Sequence, residues 1–386
     1  MKVVFISNYF NHHQSPFSCA MDELTNGNYT FIETEPMEEE RKTMGWGVKA
    51  YPKFVKKSYL SRSICQECLK LVNNADIVIY GSAPDNFVRE RIRKGKLTFR
   101  YSERIYKTGF KWWQQPLRVI HNYVRGWSKR NHYLLCASAY TYADFLKTFS
   151  FKNKSFKWGY FPTVKKYENI DNLIAKKTPA SILWTARFIE WKHPELPIKI
   201  AKSLKESGYK FQLSLIGNGG LESKIRELIK SEDVEDCVTM LGAMKPEEVR
   251  KHMEQSEIFL FTSDFNEGWG AVLNESMNSA CAVVASHAIG SVPFLINDGE
   301  NGFIYKNGDE DDLFNKVKFL LDNPEKRKEM SFKAYKAMTE IWNAEVAAQR
   351  FLLLSNRLLE GKSVDNLFSD GVCSPAIRYK NDWYEV

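Results

Sequence analysis

"EIFLFTSDFNEGWGAVLNESMNSACAVVAS", residues 257–286, sets an apolar run, a polar turn, a helix-like stretch and a second apolar run in direct succession. Short apolar runs of this kind are strands covered on both faces, and a helix joining two of them makes the strands parallel. The turn then places Glu267 at the carboxyl end of the first strand and Glu275 eight residues later, on the helix. Ligands of open α/β sheets sit at the carboxyl ends of strands. The amino end of the helix, expected from about Trp269, favours an anion. In isolation the two carboxylates read as a helix cap and a solvated side chain.

The same alternation runs through the chain. Strands are predicted at "KVVFISN" (2–8), "YTFIET" (29–34), "DIVIYG" (76–81), "LTFRYS" (97–102), "YLLCAS" (133–138) and "FKWGYF" (156–161). After a polar, charged stretch at 165–181 the pattern restarts with "SILWTAR" (181–187), "FQLSLIG" (211–217), "CVTMLG" (237–242), 257–263 and 281–286. From Asp309 the chain reads as helical nearly to Gly361. The fold class expected is therefore α/β, with two doubly wound Rossmann-like domains facing one another across a cleft. Residues 1–168 form the first, 169–340 the second, and 341–386 a C-terminal helix and tail expected to pack back on the first.

Composition narrows the class. With 44% hydrophobic and 26% charged residues over 386 positions, the chain is an ordinary globular protein large enough for two cores. The seven cysteines form no framework, which suits a reducing compartment, and the C-x-x-C of Cys65 and Cys68 lies within one helical pattern. No run of roughly 18 apolar residues occurs, so a conventional membrane-spanning helix is excluded. No export signal is visible, and a cytoplasmic location is expected.

Two further features of the second half bear on chemistry. "TARFIEWKHPELPIKI" puts Arg187 just after a strand and Lys192 before a helix with Pro194 and Glu195 in its first turn. An Arg fork and a mobile Lys charge suit phosphate oxygens, although such a pair alone is as well read as surface charge. "LIGNGG" places Gly217, Asn218, Gly219 and Gly220 in a strand-to-helix turn, which needs glycines whether or not a nucleotide binds. A sugar joined to a nucleotide by a diphosphate has the length and the charge to meet all of these groups.

The combination resembles the retaining GT-B glycosyltransferases of the glycosyl transferase group 1 family. Arg187, Lys192, "LIGNGG", "VTMLGAMKPEEV" (238–249), the E-x7-E of Glu267 and Glu275, and "VVASHAIGSVPFLINDGENGFIY" (283–305) carry the resemblance, which is dense over residues 180–340. It implies that Arg187 and Lys192 hold the donor's diphosphate, Glu267 the transferred sugar and Glu275 the ribose. The backbone of Gly268, Trp269 and Gly270 would line sugar and diphosphate, and Gly217, Asn218, Ala243 and Met244 would border the base. The nucleotide-sugar is a co-substrate; no cofactor and no metal are implied. The D-x-D of Asp309 and Asp311 reads instead as helix capping. The acceptor expected is a glycan or a lipid-linked glycan in bacterial polysaccharide, lipopolysaccharide or capsule assembly. A nucleotide-sugar 2-epimerase of the same fold is the alternative.

The first half departs from the family. No glycine lies between Asn8 and Leu24, where many relatives have a glycine-rich loop; His12 and His13 stand there, either lining the substrate or simply solvated. Glu103 occupies the place of a frequent histidine, facing sugar or acceptor unless a salt bridge with Arg104 or another neighbour engages it. Between Arg89 and Arg130 there are thirteen Lys and Arg against two Glu, a net +11 where the whole chain carries +8. Phe110, Trp112, Trp113, Leu117, Ile120, Tyr123 and Trp127 are interleaved with them. That mixture points either to an anionic membrane, with the protein peripheral on the inner face, or to a solvated basic face over core aromatics. No nucleic-acid motif is present.

Overall fold

The computed structural model describes residues 1–39, 47–48, 50–123 and 131–384. These divide into two compact units: Met1–Thr163 with Trp342–Lys380, and Val164–Ile341 with the residues from Asn381 onward. The sequence expectation put the first boundary at 168/169; the chain passes from one unit to the other at 163/164.

The first unit holds a parallel seven-stranded sheet of β1 (Val3–Ser7), β2 (Tyr29–Glu33), β3 (Val55–Lys57), β4 (Ile77–Tyr80), β5 (Thr98–Ser102), β6 (His132–Cys136) and β7 (Ser155–Lys157), in the order β3-β2-β1-β4-β5-β6-β7. Every residue of β1 and β4 is buried, because helices cover both faces. Among these helices are α1 (Ser15–Leu24), α2 (Arg62–Asn74), α3 (Asn86–Arg93), α4 (Gln115–Asn122) and α5 (Thr141–Leu146). Arg91 of α3 is fully buried and donates to the carbonyls of Val72, Ala75, Asp76 and Leu97 and to the Thr98 hydroxyl. One guanidinium thus satisfies the chain segments that enter β4 and β5, and burial pushes it down to about 10.

The second unit holds a parallel six-stranded sheet of β8 (Thr178–Thr185), β9 (Gln212–Ile216), β10 (Val238–Gly242), β11 (Ser256–Phe261), β12 (Ala282–Ser286) and β13 (Phe303–Tyr305), in the order β10-β9-β8-β11-β12-β13. Its helices include α6 (Ile170–Ala175), α7 (Glu195–Glu206), α8 (Glu222–Ser231), α9 (Pro246–Gln255), α10 (Val272–Asn278), α11 (Val292–Leu295), α12 (Glu310–Asp322) and α13 (Pro324–Lys336). Buried Lys177 donates to the carbonyls of Met253, Glu254, Ser256 and Ser279, closing the ends of α9 and α10 against β11. That fixes the strand whose carboxyl end carries Glu267. The last long helix, α14 (Ala344–Leu359), belongs to the first unit, where Phe351 packs on Phe17, Phe99 and Trp158. The chain then returns, and the Tyr384 hydroxyl bonds to the Ile304 carbonyl of β13.

Two short strands were not predicted, and the start of one helix is corrected. β3 and β13 are strands of three residues each, too short to show a period; "VKK" in β3 carries two lysines, as edge strands do. The helix expected from about Trp269 starts at Val272 and spans seven residues. Residues 264–271 are turns, because Gly270 has φ +81 and a Cβ there would lie 2.4 Å from the Phe261 ring.

Candidate functional site

The carboxyl ends of β8, β9, β10 and β11 are stitched together by backbone hydrogen bonds. Ala186 N–H donates to Ile216, Phe188 to Asn218 at 2.7 Å, Gly217 to Gly242 and Asp264 to Trp191. Gly217 (φ +140) and Gly219 (φ +154) allow this approach: a Cβ would stand 1.9 Å from the Ala186 carbonyl oxygen in the first case and 2.5 Å from that of Phe188 in the second. Gly217 and Gly219 of "LIGNGG" are thus required by the neighbouring backbone, whereas a Cβ at Gly220 would meet nothing within 4 Å. Asn218 is exposed on this turn, and Met244 is half-buried in the turn after β10.

Two predicted residues meet directly. Lys192, in a 3-10 turn over Glu190–Lys192, bonds the Glu267 carboxylate, and both side chains are about nine-tenths buried. The same carboxylate oxygen accepts from the Ser263 hydroxyl at 3.0 Å. The turn is anchored because Thr262 donates to the Lys192 carbonyl at 2.7 Å while accepting from Trp184. His193 then takes a left-handed conformation (φ 50) and lies between Glu195, 2.8 Å from Nδ1, and Asp264, 3.6 Å from Nε2. The bond to Glu195 raises its imidazole above the ordinary value against the opposing effect of burial. Arg187 is exposed, two residues beyond β8, with no ion pair among the described residues.

Trp269 does not offer its ring to a sugar pocket. The indole is 1% exposed, donates to Asn274 at 2.8 Å and lies beside Phe294, so it is core; only its backbone remains a candidate. Glu275 lies on the first turn of α10, and burial pushes its carboxyl above the ordinary range, opposed by the charge of Arg250. The Glu275 side chain is half-buried rather than fully exposed. Asp309 caps α12 by accepting from the Asp312 N–H, as capping required.

In the first unit His12, His13 and Glu103 belong to one cluster at the ends of β1, β5 and β7. The His12 and His13 rings are 3.8 Å apart, and His13 stacks on Tyr160, whose hydroxyl bonds to Glu103. Lys107 engages the other Glu103 oxygen, whereas Arg104 pairs with buried Asp144 at 3.5 Å. Burial, and secondly the charge of His12, pushes His13 down to about 3. Where many relatives have a glycine-rich loop, the chain after β1 is held by Glu33, which accepts from the Phe10 N–H at 2.7 Å, and by Asn11, which accepts from the backbone N–H groups of His13 and Gln14. Sequence reasoning passed over Ser263, His193, Glu33, Lys107 and Tyr160. Ser263 and His193 flank the predicted residues in the quoted loops, and Lys107 lies four residues beyond Glu103, but Tyr160 and Glu33 come from distant strands.

The family model for glycosyl transferases group 1 matches residues 165–337. Residues 165–337 belong to the glycosyl transferases group 1 family. The amylovoran biosynthesis glycosyltransferase AmsK of Erwinia amylovora is 33% identical over 136 residues, 34% of this chain and 33% of that one. The N-acetylgalactosamine-N,N'-diacetylbacillosaminyl-diphospho-undecaprenol 4-alpha-N-acetylgalactosaminyltransferase of Campylobacter jejuni is 31% identical over 153 residues, 40% of each chain. The match thus spans between a third and a half of these relatives. Among solved structures, Anabaena HepE in complex with UDP has a TM-score of 0.66 at 13% identity, covering 92% of this chain and 99% of that one. TarM has 0.66 at 12%, covering 92% and 98%. Both likenesses show the fold, which is GT-B.

Proposed function

We propose that the chain is a retaining, metal-independent glycosyltransferase. It moves a sugar from a nucleoside-diphosphate donor to a glycan or lipid-linked acceptor in the assembly of a bacterial surface polysaccharide, on the cytoplasmic side. The observation that supports this is the Lys192–Glu267–Ser263 contact in the group 1 domain, with exposed Arg187 just after β8 and half-buried Glu275 on α10.

Each part of such a donor has a partner of fitting chemistry. Glu267 accepts from sugar hydroxyls, held in place by Ser263 and Lys192. As the bond to the sugar breaks, negative charge grows on the leaving diphosphate, where Arg187 and Lys192 lower its energy. A leaving phosphate oxygen takes the acceptor's proton while the hydroxyl attacks from the same face. Glu275 accepts from the ribose, and the turns at Gly217 and Met244 border the base. The cluster of His13, Tyr160 and Glu103 is assigned to the acceptor side.

Thermal-shift screening with UDP-, GDP- and ADP-sugars identifies the donor, since a ligand bound only to the native state raises its melting temperature. With that donor, transfer is expected to proceed in excess EDTA and to keep the anomeric configuration. Strict dependence on a divalent metal, or an inverted product, overturns the mechanistic part of the reading.

Glu275 provides a second test in which stability and binding move in opposite directions. Because burial raises its carboxyl, the folded chain holds that proton more tightly than the unfolded one. This contribution is complete at low pH and is lost as pH rises through the folded value. Glu275→Gln, neutral throughout, should melt higher than wild type at pH 7–8, with the gap closing towards the ordinary carboxylate range. It should also bind the nucleotide roughly tenfold more weakly, as expected when a charged hydrogen-bond acceptor is lost. Loss of both stability and affinity would make Glu275 a structural residue.

A further inference from the structure

Helix α4 and the 3-10 turn before it, Trp112–Gln114, are amphipathic in the wrong sense for a soluble protein. The inward side is polar. Gln115 accepts from the Tyr106 hydroxyl and donates to the Lys147 carbonyl; Arg118, one turn on, donates to the Ile105 carbonyl. Asn122, another turn along, is buried and accepts from Arg100 at 3.0 Å. The outward side is apolar. Trp112 is 80% exposed, Leu117 73% and Ile120 62%, with Phe110, Trp113 and Tyr123 exposed beside them. Trp113, Leu117 and Ile120 follow the four-then-three spacing of one helical face. Turning amides and a guanidinium inward, Asn122 buried and Gln115 and Arg118 half-buried, while facing tryptophan and leucine outward is the reverse of what water selects.

The charges around this face have one sign. From Arg104 to Tyr123 the sequence contains four Lys and Arg and no Asp or Glu. Lys111 lies over the Trp113 ring, and Lys147 over the rings of Tyr106 and Phe110. The nearby carboxylates are engaged: Glu103 by Lys107 and Tyr160, buried Asp144 by Arg104, and Asp85 by His121. Phe149, 65% exposed, follows Lys147 and adds an apolar side chain next to the helix. Aromatic rings with lysines beside them, and no unpaired acid between Arg104 and Tyr123 among the described residues, match a bilayer surface, where anionic headgroups meet cations and rings settle at the headgroup level.

We infer that residues 107–123, with Lys147 and Phe149, dock the protein on an anionic lipid bilayer. This deepens the proposed function by bringing the enzyme to a lipid-linked acceptor, and the docking is measured without any donor. Of the basic stretch noted in the sequence, residues 124–130 lie outside the described residues, and Arg91 and Arg104 are buried and play no part in the surface.

The test uses the full chain with vesicles of phosphatidylcholine containing a third phosphatidylglycerol. Co-sedimentation and a blue shift of tryptophan fluorescence are expected at low salt, with partitioning falling in high salt and on pure phosphatidylcholine. Trp112→Glu and the pair Leu117→Asp/Ile120→Asp replace exposed side chains, so circular dichroism should be unchanged while partitioning falls at least tenfold. Lys111→Glu should cost about fivefold or more, the worth of one basic residue near the surface. Indifference to anionic vesicles, equal binding to neutral ones, or variants that bind like wild type would overturn the inference. Concentration-dependent self-association abolished by the same variants would also overturn it, with a second copy as the occupant. Transfer to a soluble acceptor is expected to survive these substitutions. Its failure in wild type would count against the proposed function and leave the docking result standing.

Discussion

Arg187→Ala and Lys192→Ala should each lower turnover with the identified donor by roughly 10²–10³, the loss expected when one electrostatic contact to a charge-bearing transition state is removed. The two variants should differ in stability. Arg187 is exposed and has no ion pair among the described residues, so its loss leaves the melting temperature unchanged. Lys192 is buried against Glu267, and removing it leaves the carboxylate with Ser263 as its side-chain partner among the described residues. Breaking a buried pair from one side costs about 3–5 kcal/mol, whereas Lys192→Ala combined with Glu267→Gln should recover part of that stability and no activity. Glu267→Gln alone should reduce turnover more than Glu275→Gln, which acts on donor affinity. Near-wild-type rates in both cation variants would remove the diphosphate assignment, and a reversed order of the two Glu variants would mean that the ends of the donor have been exchanged.

The parts of this site that could be read from the sequence are those set by strand-to-helix order. Arg187, Lys192, Gly217, Glu267 and Glu275 each follow or flank a strong apolar run, so the alternation that identifies the sheet also places them at its carboxyl edge. Contacts that depend on side-chain direction could not be read in this way. Nothing in "DFNEGWG" says that the Trp269 indole turns into the core towards Asn274, or that Glu267 is bonded by a lysine 75 positions earlier. The Glu103 cluster joins three strands of a sheet whose order differs from the chain order, and no local period records which loops become neighbours. The outward apolar face of α4 was visible only as composition. Which side of a helix faces inward is decided by partners such as the Tyr106 hydroxyl and the Ile105 carbonyl, and these lie outside the helix.

Gly217→Ala should destabilise the second unit by about 3 kcal/mol and abolish donor binding, although it adds a single methyl group. At φ +140 the backbone is in a region that L side chains rarely adopt, and the new Cβ would stand 1.9 Å from the Ala186 carbonyl oxygen. That oxygen cannot swing aside as a side chain would. The Ala186 N–H is bonded to Ile216 and the Gly217 N–H to Gly242, so relieving the clash means separating the turns that follow β8 and β9 and breaking the bonds between them. Arg187 is the next residue after Ala186, and any such separation moves it away from the diphosphate position proposed for it. Gly220→Ala is the matched control: no atom lies within 4 Å of its Cβ, and its φ is outside the strained range. Melting curves and donor titrations of the two variants should therefore diverge, with Gly220→Ala close to wild type in both. If Gly217→Ala also melts and binds like wild type, the two turns are not held together as described, and the position assigned to Arg187 loses its structural basis.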